Sequence, residues 1–144
     1  MEFVYNDGGR SKAGFKGTTG DCTCRAISVA MPELSYRQIY DRLIEYGKRE
    51  RFSKRNRIKS HPRTGVNRKT IRKFLEDHGF IWRPCMSIGS GCRVHLKKEE
   101  LPSGRIICSL SKHLTAVVDG VINDIYDCSR EETRCVYGYW YRGE

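Results

Sequence analysis

An α+β fold follows from three features of the chain. Helical apolar periods fall within residues 21–79, strand-like runs fall within residues 80–141, and an Asp119-Gly120 pair links two of those runs as a two-residue hairpin. Helices first and strands second predict N-terminal helices packed on a C-terminal antiparallel sheet. With 144 residues, the chain suits one domain with its own core, spanning residues 1–144.

The elements can be justified in order. Residues 2–6 form a short first strand, followed by Gly8-Gly9 and a loop rich in small residues that runs into Cys22. A helix beginning near Asp21 carries Ala26, Ile27, Val29 and Ala30, a content suited to a buried central helix, and Pro32 ends it. Ser35-Tyr36-Arg37-Gln38 is a capping box, so a second helix runs from about Tyr36 to Arg49, with Ile39, Tyr40, Leu43, Ile44 and Gly47 on one face. Residues 51–65 lack an apolar period and form a basic surface loop. A third helix starts after Asn67, with Ile71, Phe74, Leu75 and His78 on its apolar side, and stops at Gly79. Strands are expected at 80–83, 105–110, 114–118, 121–126 and 136–141.

Charge is concentrated in one place. Residues 48–73 hold twelve basic side chains against one acid, Glu50, so the whole formal excess of +10 belongs to this segment. Lys48, Arg49, Arg51, Lys54, Arg55, Arg57, Lys59, Arg63, Arg68 and Lys69 form a candidate surface for nucleic acid or another polyanion, with Phe52 or Tyr46 available for stacking. The same patch would steer an acidic protein substrate. There is no run of about 18 apolar residues and no signal-peptide pattern, so the expected location is a cytoplasm, without membrane contact. Seven cysteines in such a chain are expected to be reduced. The pairs Cys85/Cys92 and Cys128/Cys135 each leave six residues between, wider than usual zinc spacing, so no metal or cofactor is expected.

The chemistry centres on Cys22. A cysteine where a loop enters a helix lies beside unpaired N–H groups and the positive end of the helix dipole, which favour the thiolate. His113 opens a strand, and Asp124 lies on the next. Counting outward from the Asp119-Gly120 turn pairs Val118 with Val121, Val117 with Ile122 and Thr115 with Asp124, which puts Asp124 on the His113 face and turns Asp127 away. Asp124 is therefore the expected partner of His113, and Asp127 replaces it only if a bulge intervenes. Cys24, two residues past Cys22, should face away into the core. His61, His78 and His95 have no evident cysteine partner.

In these residues the chain resembles the papain-like cysteine peptidase superfamily, closest to its small bacteriophage and bacterial members. The resemblance rests on Gly20-Asp21-Cys22 followed by Arg25-Ala26, on His113 opening a Leu-Thr-Ala-Val-Val-Asp-Gly hairpin, and on Asn123-Asp124. It implies a papain-like fold and a protease or isopeptidase in which Cys22 attacks a carbonyl, His113 carries the proton and Asp124 orients the imidazole. Acyl transfer to an amine uses the same residues. For a phage protein the compartment would be the host cytoplasm. A glutamine usual in the superfamily is replaced here by Lys16, Thr18 and Thr19 as candidate oxyanion donors. The contrasting expectation is a non-catalytic module that binds polyanions through residues 48–73.

Overall fold

The computed structural model describes residues 1–17, 20–51, 54 and 57–142. Among them, three helices precede most of a six-stranded sheet, the α+β order expected. β1 (Phe3–Tyr5) leads to α1 (Cys22–Ala30), α2 (Tyr36–Lys48) and α3 (Arg68–Asp77), followed by β2 (Phe80–Pro84), β3 (Arg105–Leu110), β4 (His113–Val118), β5 (Val121–Asp124) and β6 (Gly138–Arg142). The strands lie in the order β1-β5-β4-β3-β6-β2.

The sheet is mixed rather than antiparallel, because β1 runs parallel to β5, with Val4 opposite Asn123. A tight turn fixes antiparallel pairing, as it does for β4 and β5. The long path through the helices leaves the direction of β1 free of that constraint. At the β4–β5 turn, Asp119 and Gly120 both adopt positive φ, as a twisted two-residue hairpin requires. The register is the counted one, Val118 to Val121 and Val117 to Ile122. β5 ends at Asp124, short of the expected Tyr126.

A nine-residue helix such as α1 has little stability alone, so packing must hold it. All of its residues from Thr23 to Ala30 are buried. The capping box of α2 forms as the sequence specifies: the Ser35 hydroxyl accepts from the Gln38 N–H and the Gln38 side chain accepts from the Ser35 N–H. The helices cover one sheet face, where Ile27, Ile39, Leu43, Phe74 and Leu75 meet Ile107, Ala116 and Trp140. On the opposite face Ile106, Val117 and Ile122 pack against Leu96, Cys128 and Val136 from the irregular segments before β3 and β6.

Those irregular segments correct the expectation of seven reduced thiols: Cys92 and Cys135 form a disulfide, Cα to Cα 5.7 Å. It joins one member of each pair noted in the sequence. Its cause lies in the fold, because Val136 N–H donates to the Val94 carbonyl and Leu96 N–H to the Arg134 carbonyl, which lays the two segments side by side. Cys22, Cys24, Cys85, Cys108 and Cys128 remain free thiols. No helix among the described residues is long and apolar enough to cross a membrane.

Candidate active site

Cys22 is the first residue of α1, and the end of that helix is left open in a specific way. Asp21 stands at the N-cap, where an aspartate ordinarily accepts from the first-turn N–H groups, yet its carboxylate makes no such bond. It is fully buried and spent elsewhere. Arg25 Nη1 donates to Asp21 Oδ1 at 2.6 Å, Tyr36 Oη donates to Oδ2 at 2.7 Å, and Arg10 Nε lies 3.3 Å from Oδ2. The first-turn donors beside Cys22 are thus not consumed by a side-chain cap.

His113 and Asp124 meet as the register count requires. His113 Nε2 is 2.7 Å from Asp124 Oδ2, which also accepts from Thr115 Oγ1 at 2.7 Å, while Asp124 Oδ1 accepts from the Ile125 N–H at 2.7 Å. Asp124 is 3% exposed, and the dense set of donors is what allows a carboxylate to stay ionised there. Burial pushes its pKa up, but the bonds from His113, Thr115 and the Ile125 N–H outweigh this and hold it below the ordinary carboxylate value. Asp127 is exposed and accepts from the Ser129 N–H instead, so no bulge has rotated it inward.

His113 and Cys22 shift each other's titration. Burial alone would raise the Cys22 pKa. The polar groups of His113 and Leu114 beside it, together with the charges of His113 and Arg25, bring it below the ordinary thiol value. For His113 burial lowers the pKa, and the bond to Asp124, with contacts to Cys128 and Cys22, more than reverses this and carries it up to about 11. Both shifts favour a thiolate beside an imidazolium. Cys24 behaves oppositely, as expected for a core residue: its thiol lies 3.8 Å from the Tyr36 carbonyl and burial pushes it up to about 12.

Sequence reading missed several residues of this site. Arg25 is buried and links both carboxylates, its Nη2 lying 3.6 Å from Asp124 Oδ1. The Cys128 thiol lies 3.8 Å from Asp124 Oδ2. His113, Asp124 and Cys128 bring three ligand-type atoms within 4.8 Å of one another, but Arg25 and the short His–Asp bond already balance that carboxylate. The Asp21-Arg25 spacing of four, one helical turn, was the available signal for the ion pair. Nothing in the sequence placed Tyr36 or Cys128 nearby.

Other sequence candidates lie elsewhere. Lys16 is exposed, and its backbone carbonyl accepts from Arg63 Nη2 at 3.0 Å, while Thr18 and Thr19 lie outside the described residues. Lys48, Arg49, Arg51, Lys54, Arg57, Lys59, Arg68 and Lys69 are exposed, and Arg55 and Phe52 are outside the described residues. Glu50, the sole acid of this segment, organises the loop by accepting from the Ser60 N–H at 2.7 Å and from the Ser60 and Thr70 hydroxyls. His61 makes an edge contact with Tyr40, His78 stacks on Phe74 with ring centroids 4.1 Å apart, and His95 lies 3.4 Å from Glu100. None of these three replaces His113.

Comparison with family models, with curated proteins and with solved structures gives no match for this chain.

Proposed function

We propose that this protein is a papain-like cysteine protease or isopeptidase acting through Cys22, His113 and Asp124. The observation that carries the reading is an imidazole held by a buried carboxylate at 2.7 Å while it lowers the pKa of a helix-terminal thiol. In the proposed reaction the Cys22 thiolate adds to the carbonyl carbon of an amide. The oxyanion is met by N–H groups of the open first turn of α1, and each such donor is worth about 2.7–4 kcal/mol in comparable sites. His113 passes its proton to the departing amine. It then takes a proton from water, which attacks the thioester and releases the acid and the free thiol. An amine in place of that water gives acyl transfer. Asp124 keeps the ring oriented and supports its positive charge.

Incubation with a mixed library of unstructured peptides tests the proposal, with new termini read by mass spectrometry. Cleavage that disappears in Cys22→Ser and His113→Ala is expected. Absence of new termini from the wild-type chain, or cleavage unaffected by Cys22→Ser, contradicts it.

The exposed basic side chains of residues 48–73 favour a second reading, polyanion binding, because their only acid is occupied within the loop. Binding of a mixed-sequence oligonucleotide should then weaken steeply with salt, with a slope that shrinks when Lys54 and Arg57 are neutralised. No binding at low salt removes this reading.

A further inference from the structure

A cavity of about 450 Å³ opens between α3 and the ends of β2, β3, β4 and β6. Its link to the site is Leu114. That residue lines the cavity and directly follows His113 at the start of β4. An extended chain with its carbonyl at Cys22 would thus have the cavity next to it.

The walls differ in chemistry. The floor is aromatic and apolar, made by Leu114, Trp82 and Trp140, with the indole rings 5.0 Å apart and inclined by 48°. Gly138 makes this floor: a Cβ there would stand 2.3 Å from Trp82, so only glycine lets the indole lie over β6. The rim is cationic. Arg68, Lys69 and Arg72 project from α3, and no acidic side chain among the described residues lines the cavity. Arg72 also lies over the Trp140 ring at 5.7 Å, which ties the charged rim to the aromatic floor. Its exposed partner Glu76, at 3.7 Å, stands outside the lining.

We infer that this cavity selects the substrate, taking a peptide segment in which a large apolar or aromatic residue is flanked by Asp or Glu. The apolar side chain fills the tryptophan floor and the flanking carboxylates pair with Arg68, Lys69 and Arg72. The volume suits one large side chain with its neighbours. A uniformly cationic rim disfavours lysine-flanked competitors. This inference rests on the proposed hydrolase reading.

The test uses the full chain and fluorescent decapeptides centred on Glu-Glu-Phe-Glu-Glu or Lys-Lys-Phe-Lys-Lys. Binding is read by anisotropy, and occupancy next to the thiol is read by protection of Cys22 from iodoacetamide. The acidic peptide should bind about tenfold or more tightly than the basic one. It should also protect Cys22 saturably, and Arg68→Glu/Arg72→Glu should invert the preference. Equal binding of the two peptides, or a preference that the charge reversal leaves intact, overturns the inference. So does an oligonucleotide that outcompetes the acidic peptide through the same arginines. Failure of Cys22 to react faster than the other free thiols contradicts the hydrolase reading instead, and anisotropy still decides what the cavity binds.

Discussion

Replacing Arg25 by Met probes the network behind the thiol. The guanidinium is buried, 2.6 Å from Asp21 Oδ1 and 3.6 Å from Asp124 Oδ1, and those carboxylates are 0% and 3% exposed. Methionine keeps much of the apolar stem but removes the cation, leaving two buried anions short of positive charge. Breaking one such pair costs about 3–5 kcal/mol. Asp21 retains Arg10 and Tyr36, and Asp124 retains His113 and Thr115, so the lower half of that range is expected. A loss of about 3 kcal/mol lowers the melting temperature of a chain this size by about 6–12 °C. Urea unfolding measures it, and Asp21→Asn added to Arg25→Met should recover part of the loss by removing one unbalanced charge. The second readout is the pH dependence of Cys22 alkylation. Because Arg25 helps lower that thiol, its midpoint should rise in Arg25→Met and return toward wild type in Arg25→Lys. A loss below about 1 kcal/mol, or a midpoint unmoved while stability falls, refutes the electrostatic role assigned to Arg25.

Other outcomes follow from the same geometry. Asp124→Ala should slow turnover by removing the acceptor that orients His113 and supports its charge, whereas Asp127→Asn should leave the alkylation of Cys22 unchanged. Asp124 titrates below its unfolded value, so its contribution to stability is complete above about pH 3.9 and fades as pH falls through the native value. His113 has the opposite sign: its contribution is complete below about pH 6.5 and fades as pH rises through about 11. Urea midpoints across pH for wild type and Asp124→Asn check both arms. Cys135→Ser opens the disulfide loop, whose ends are 43 residues apart, and should cost about 4 kcal/mol in the chain-entropy account, measurable as a lower urea midpoint under non-reducing conditions. Gly138→Ala drives a methyl into Trp82 and should cost about 1–3 kcal/mol, with a shift in tryptophan fluorescence.

How much of this was legible in the sequence depends on the range of the interaction. Signals confined to a few residues could be read directly: the α2 capping box, the Asp119-Gly120 turn, and through that turn the register that sets Asp124 against His113. The place of Cys22 at a helix start was similarly local. Contacts made by distant segments had no such signal. The direction of β1, the Cys92–Cys135 bridge, and Tyr36 under the N-cap of α1 each depend on which parts of the chain fold against one another. Arg25 illustrates the difference. As an ion-pair partner of Asp21 it was readable from helical spacing, but its burial against Asp124 depends on how α1 packs on the sheet.

The most direct measurement is the alkylation rate of each free cysteine as a function of pH, read by peptide mass spectrometry in wild type and His113→Ala. Cys22 should react fastest, with a midpoint below that of an ordinary thiol, and His113→Ala should move that midpoint upward. If Cys22 reacts no faster than Cys85, or keeps its midpoint without the imidazole, then the thiolate–imidazolium pair at the centre of this account does not exist.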